Sequence, residues 1–237
     1  MLGEKVVMIT GASRGLGRAL ALAFAREGAN LVINSRSKDS LGPVAGEAEE
    51  TGVEVLAVPT DISVGTEVER LVDESVRRFG RIDTLVNNAG LLGPRVPIVD
   101  YPEDEWRRVL DANLTAPFLL SKAIVPHMTE GGSIVNVTSG VSVEGRAEWG
   151  AYSVSKFGVE GLTQILAAEL KDRDIRVNSV DPGGMRTEMR AAAYPDEDPT
   201  TRITPEENTA VFLYLASDKS RGVTGERFKA QEFQWAS

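Results

Sequence analysis

The sequence predicts an α/β protein, a doubly wound parallel sheet with helices on both faces. Three observations predict it. Short apolar runs alternate with stretches of helical spacing along the 237 residues, the pattern of repeated β–α units. The first run enters the first helical stretch through a glycine turn, residues 10–17. The residues with chemical capability stand just after the runs, where right-handed crossovers leave the ligand crevice of such a sheet.

The elements follow in chain order. Residues 6–9 are apolar throughout, as in a strand buried on both faces. Gly11, Gly15 and Gly17 come next, then Leu20, Ala21, Phe24 and Ala25 recur at helical spacing until Gly28 stops the helix. Such a turn aims unpaired N–H groups and the positive end of a helix at one point, which suits a phosphate or pyrophosphate. Glycine fits there because a Cβ would hold the ligand off the backbone. The spacing is G-x-x-x-G-x-G rather than the commoner G-x-G-x-x-G, and alone it is equally a tight turn without a ligand. Residues 30–34 read as a second strand, 39–51 as a weak helix interrupted by Gly42, Pro43 and Gly46, and 53–58 as a third strand. In 64–79, Val68, Leu71, Val72, Val76 and Phe79 share one helical face. Residues 82–86 form a fourth strand closed by Asn87-Asn88-Ala89-Gly90; 103–128 is one long helical region; 133–137 is a fifth strand, 151–172 a helix and 175–180 a sixth strand. Residues 183–204, rich in Gly, Pro, Asp and Thr, read as a mobile loop. A helix over 205–216 is expected to start with Thr204 as N-cap and Pro205 at its first position. A last strand is expected over 226–230. With no linker or repeat, a single domain is expected over 1–237.

Composition narrows the function. Hydrophobic residues make up 42 % and the net charge is −9. The acidic balance argues against a nucleic-acid or anionic-membrane binder, without excluding a local basic pocket for phosphate. The absence of cysteine excludes disulfides and a thiol nucleophile. With His127 as the only histidine, no metal site is expected. A serine–histidine hydrolase would need His127, whose place beside Pro126 and Met128 favours a structural role. No run of apolar residues reaches membrane-spanning length, and no signal peptide precedes the first strand, so a soluble cytoplasmic protein is expected.

The strand ends suggest a chemistry. Ser13 and Arg14 lie inside the glycine turn, and Ser35 and Arg36 follow the second strand. An acid at the end of that strand would bind a ribose 2′-OH; an arginine accommodates a 2′-phosphate instead. No acid stands at positions 34–36, so Arg14 and Arg36, with their forked donors, predict NADP(H) over NAD(H). Asp61, after the third strand, either accepts from an adenine amino group or caps the next helix. Asn87, Asn88 and Gly90 hold a turn near the cofactor, or simply a turn. Ser139 follows the fifth strand, and Tyr152 and Lys156 share one face of the next helix at i, i+4 spacing. A phenol titrates near ~10, and a neighbouring ammonium favours phenolate. Tyr152 would then give a proton to a carbonyl oxygen, or take one from an alcohol, near neutral pH, with Ser139 holding the same oxygen. Alone, the Tyr-x-x-x-Lys spacing is common in helices.

Together, Thr10-Gly11-x-x-x-Gly15-x-Gly17, Asn87-Asn88-Ala89-Gly90, Asn113, Ser139, Tyr152-x-x-x-Lys156 and Pro182-Gly183 occur in this order, and the chain resembles the short-chain dehydrogenase/reductase family over residues 5–225. The resemblance implies a Rossmann-type domain with seven parallel strands and a nicotinamide cofactor. It implies Tyr152 as general acid/base and Lys156 as the residue that binds the nicotinamide ribose and lowers the tyrosine pKa. Ser139 would orient the substrate oxygen, and Asn113 would hold a water linking Lys156 to solvent. The implied cofactor site comprises Gly11, Ser13, Arg14, Leu16, Gly17, Arg36, Asp61, Ile62, Asn88 and Gly90. Pro182, Gly183, Met185 and Thr187 stand at its nicotinamide end, with Tyr152 and Lys156. Two stretches depart from the family pattern. The substrate-covering segment, about 184–204, is short and polar, and the usual Val-Asp-Gly-Gly ending is replaced by Lys229-Ala230-Gln231-Glu232-Phe233.

The expected function is therefore an NADP(H)-dependent oxidoreductase that passes hydride between nicotinamide and a small carbonyl or secondary-alcohol substrate. A catalytically silent nicotinamide-binding regulatory module is the alternative. An epimerase or dehydratase on this fold usually carries a larger C-terminal domain than 237 residues allow. By family habit the protein is expected to be a homodimer or homotetramer built on the two long helices.

Overall fold

Alternate residues of the first strand, β1 (Val6–Thr10), face opposite ways, and each set finds its own core. Val7 and Ile9 pack with Leu16, Leu20 and Phe24 of α1 (Gly15–Arg26), while Val6 and Met8 pack on the other face with Leu71, Leu120 and Ile124. A strand apolar at every position is thus the mark of a sheet with two covered faces. The computed structural model describes residues 2–235; the first residue and the last two of the predicted 1–237 span lie outside them.

The remaining strands are β2 (Asn30–Ser35), β3 (Val55–Pro59), β4 (Thr84–Asn87), β5 (Ser133–Val137), β6 (Arg176–Asp181) and β7 (Arg227–Lys229). They form one seven-stranded sheet in the order β3-β2-β1-β4-β5-β6-β7, all parallel. The fold is a Rossmann-like, doubly wound α/β sheet, as expected. The strand order reverses between β1 and β4, and a doubly wound sheet opens its ligand crevice at that point. β5 matches its expected span, and the other later strands start or stop one to two residues from the expected positions.

The helices show larger differences. α2 (Lys38–Glu49) runs unbroken through Gly42, Pro43 and Gly46, because Leu41, Val44 and Ala48 bury its inner face. α3 (Gly65–Phe79) ends on Gly80 in the left-handed region, φ 78°. The single helical region expected over 103–128 is instead four segments. α4 (Glu103–Leu110) passes into a π-turn, Asp111–Thr115, then α5 (Ala116–Ile124) and a 3₁₀ turn, Val125–His127. Pro117 lacks the N–H that would close an α-turn onto the Asn113 carbonyl, and the wider turn falls there. In the 3₁₀ turn the His127 carbonyl accepts from the Ile82 N–H at 3.3 Å, and the residue is exposed.

α6 (Gly150–Glu169) is followed by β6 and then by the stretch expected to be mobile. That stretch is tied down. It carries α7 (Glu188–Ala193), a 3₁₀ turn at Pro199–Thr201 and a bridge between Met185 and Ile203. Glu197 closes it by accepting from Arg190 Nε and Nη2, both at 2.6 Å, and by pairing with Arg202. The helix expected over 205–216 begins as a 3₁₀ turn, Glu206–Asn208, before α8 (Ala210–Ala216). Thr204 does not cap it; its N–H and Oγ1 donate to the Glu207 carboxylate at 2.7 and 3.0 Å, the reciprocal half of a capping box. Among the described residues no helix is long and apolar enough to cross a membrane, and no three His, Asp or Glu side chains gather as metal ligands.

Candidate active site

The crevice at the β1–β4 reversal is floored by the glycine turn. Gly11 and Gly15 have φ of 66° and 53°, where side chains are strained. A Cβ on Gly11 would stand 2.9 Å from the Ala89 Cα, and one on Gly17 would collide with the Gly11 carbonyl oxygen. α1 starts with extended Arg14 as N-cap and no side chain on its first amides. Those N–H groups lack intrahelical acceptors and, with the helix dipole, form a cradle that fits a dinucleotide pyrophosphate. Leu16 and Gly17 contribute backbone to that cradle, since the Leu16 side chain is buried in the α1 core.

Several expected cofactor residues are engaged within the protein. The Asn88 side chain donates to the Thr10 carbonyl at 2.8 Å and the Gly11 carbonyl at 3.3 Å, bracing the turn from behind. Thr10 Oγ1 in turn accepts from the Asn88 and Ala89 N–H groups. Asp61 neither caps α3 nor points away alone: Oδ1 accepts from the Ser63 N–H at 3.0 Å and hydroxyl at 2.6 Å. The Ser63 hydroxyl holds the Asp61 carboxyl below its usual range, and Arg36 nearby adds to that effect. Arg36 itself is exposed, with no carboxylate at ion-pair distance among the described residues. Arg14 instead pairs with Glu188 of α7. Ser13 is half-buried in the turn, and Ile62 and Met185 turn their side chains into the two cores. Thr187 Oγ1 caps α7 by accepting from the Arg190 N–H, and its methyl lies against Gly15.

Ser139, Tyr152 and Lys156 meet past the ends of β5 and β6. Tyr152 is 9 % exposed and Lys156 is 4 % exposed. Burial pushes the Tyr152 phenol up to about 12; the Ser139 hydroxyl, hydrogen-bonded to it, pulls the other way, and the Asp181 carboxylate adds to the rise. Burial pushes the Lys156 ammonium down to about 8, opposed by Glu160 one turn along α6. This differs from the expectation that the ammonium holds the phenol acidic. Lys156 Nζ donates to the Val137 carbonyl at 2.7 Å and lies 5.7 Å from the Tyr152 ring centre. Desolvation of both groups outweighs their mutual effect.

Asn113, in the π-turn, accepts from the Leu91 N–H at 2.7 Å and donates to the Leu91 carbonyl at 2.9 Å and to Ser155 Oγ at 3.1 Å. It fixes the exit of β4. A Cβ on Gly90 would stand 3.3 Å from its Oδ1 and 3.9 Å from Lys156 Nζ, so Gly90, Asn113 and Lys156 share one pocket.

Residues that sequence reading missed complete the site. Gln231 Nε2 and Asn208 Nδ2 donate to the Pro182 carbonyl at 2.9 and 2.8 Å, and Gly183 has φ 67°. A Cβ on Gly183 would press on the Gln231 amide at 2.6 Å. Trp149 lies 5.7 Å from Tyr152 and 6.1 Å from Tyr194, and the Arg95 guanidinium stacks 4.6 Å over Trp149 while donating to the Ala193 carbonyl at 2.8 Å. Nothing local in the sequence signals this stack, because Arg95, Trp149 and Tyr194 are brought together from separate parts of the chain.

Comparison with known proteins finds relatives along nearly the whole chain. The short chain dehydrogenase family profile matches residues 5–198. The oxidoreductase YciK of Escherichia coli, itself uncharacterised, is 39 % identical over 98 % of this chain and 93 % of its own length. A 3-oxoacyl acyl-carrier-protein reductase of Thermotoga maritima is 38 % identical over 95 % of each chain. Among solved structures, a short chain dehydrogenase from Shigella flexneri complexed with NADP superposes with a TM-score of 0.94 at 38 % identity, covering 97 % of this chain and 98 % of that one.

Proposed function

The chain belongs to the short-chain dehydrogenases, oxidoreductases that interconvert CH–OH and C=O with a nicotinamide cofactor, and we propose that it is an NADP(H)-dependent member with Tyr152 as its acid/base. The observation that carries this reading is the cluster of half-buried Ser139 with buried Tyr152 and Lys156 past the strand ends. The cofactor, when bound, supplies or accepts the hydride. The chain's own residues handle the proton. With its phenol raised to about 12, Tyr152 is protonated at neutral pH, the form from which a carbonyl reduction starts. Its hydroxyl donates to the carbonyl oxygen as charge builds there, and Ser139 donates to the same oxygen. Lys156 holds the ribose and passes a replacement proton toward Tyr152, and Asn113 shapes the pocket that it shares with Lys156 and Gly90. Trp149 and Tyr194 wall the substrate side.

Arg36 is the reason for preferring NADP(H), since an exposed guanidinium just after β2, with no ion pair among the described residues, suits a 2′-phosphate. The NADP in the Shigella structure agrees with it. The silent regulatory module is not favoured, as the relatives are named as an oxidoreductase and a reductase. A homo-oligomer fits the exposed Phe118 on α5 and Val154, Phe157 and Ile165 on α6.

The test follows NADPH consumption against aldehydes, ketones and 3-oxoacyl thioesters, and measures both cofactor dissociation constants. We expect turnover with a member of that panel, NADPH bound more tightly than NADH, and Arg36→Asp weakening NADPH about tenfold or more, the size of one charge-assisted hydrogen bond, with NADH unchanged. Tighter NADH binding, or equal losses for both cofactors, would contradict the assignment.

A further inference from the structure

The last strand carries a charge that reaches the site. Arg227 of β7 extends past β6, and its side chain is 22 % exposed. Its Nη2 donates to Asp181 Oδ2 at 2.9 Å and to the Ser139 carbonyl at 3.3 Å. Its Nε donates to Glu160 Oε1 at 3.1 Å. Each partner belongs to a different wall of the site. Ser139 orients the substrate oxygen. Asp181 ends β6, accepts from the Gly183 N–H at 2.9 Å, lies against Gly140 beside Ser139 and adds its charge to the field at the Tyr152 phenol. Glu160 lies one turn beyond Lys156 and also accepts from the Ser142 and Ser179 hydroxyls at 2.9 and 2.6 Å.

One guanidinium therefore sits between two largely buried carboxylates. A buried carboxylate without a partner is costly and its field is poorly screened. We propose that Arg227 is a positioning residue for the proton transfer, acting through Asp181 and Ser139: it neutralises the Asp181 carboxylate and fixes the carbonyl of the substrate-orienting serine. The proposal rests on the reading that Tyr152 moves the proton. The charged groups around that phenol include Lys156 on its own helix, Asp181 at the end of β6 and, behind Trp149, Arg95 with its ion-pair partner Glu148 at 3.8 Å. Arg227 and Glu160 act through the first two. Without Arg227 the Asp181 charge acts on Tyr152 uncompensated, and the phenol becomes harder to ionise. Without Asp181 it becomes easier.

The experiment replaces tyrosine with fluorotyrosine, whose more acidic phenol titrates where the protein stays folded. The Tyr152 signal is followed by fluorine NMR and assigned with Tyr152→Phe. Arg227→Met is expected to move the Tyr152 midpoint up by about one pH unit and Asp181→Asn to move it down by a similar amount. The double variant returns it near wild type, and Arg227→Lys keeps it there. A purely structural arginine would lower stability in Arg227→Met and leave the midpoints together, and that result overturns the proposal. Should Arg227→Met fail to fold, Asp181→Asn decides: an unmoved midpoint is equally fatal. The titration needs no turnover, so failure of wild-type enzyme to use NADPH would count against the oxidoreductase reading alone.

Discussion

Lys156 shows how burial changes the chemistry of a side chain. Its ammonium is shifted from the ordinary 10.5 to about 8 by loss of water. Below about 8 it is charged in folded and unfolded chains alike; between about 8 and 10.5 only the unfolded chain holds the proton. The unfolded state then binds more protons, so stability rises with pH across that window. We expect the wild-type melting temperature to gain on that of Lys156→Met as pH is raised from 8 to 10. Parallel curves for the two proteins would contradict a desolvated lysine. The Tyr152 phenol works in the opposite sense, at higher pH. Raised to about 12, it favours the folded state below 10 and loses that contribution as pH climbs through 12.

At the scale of elements, the segment 184–204 carries the most specific architecture. Glu197 is held at about 2 by the Arg190 and Arg202 guanidiniums, so its pairs persist well below the ordinary carboxylate range and fail only as pH falls through about 2. Tyr194, under Arg190 at 3.7 Å, hands this order on to Trp149 and Tyr152. We expect Glu197→Gln to be cut faster within this segment by limited proteolysis and to raise the KM for the carbonyl substrate by about threefold to tenfold, with NADPH affinity unchanged. Equal cleavage rates would argue against the ion pairs as the fastening. This segment also marks where sequence reading stops. The glycine turn and the Tyr152–Lys156 pair were legible because each is local, set by spacings of a few residues. The loop read as mobile because its Gly, Pro and Asp content signals turns, while what orders it is a set of pairs made after folding. The π-turn at Asn113 was hidden for a related reason: Pro117 announces a break, and helical patterning on both sides conceals it.

For the molecule as a whole, the strand order β3-β2-β1-β4-β5-β6-β7 brings distant residues to one crevice. The ends of β1, β4, β5 and β6, followed by Gly11, Gly90, Ser139 and Gly183, lie side by side there although the chain between them is long. The alternation of runs was enough to predict the sheet and its open end, and so the neighbourhood of every strand-end residue. Contacts across that crevice, such as Arg227 to Asp181, 46 residues apart, follow only from the assembled fold. The account stands or falls on the phenol at its centre. Its most direct test measures NADPH affinity and carbonyl turnover in Tyr152→Phe. The expected result is a dissociation constant within about twofold of wild type and turnover lowered about a hundredfold or more, the usual weight of a general acid. Reduction of the same substrate at the wild-type rate would contradict the account.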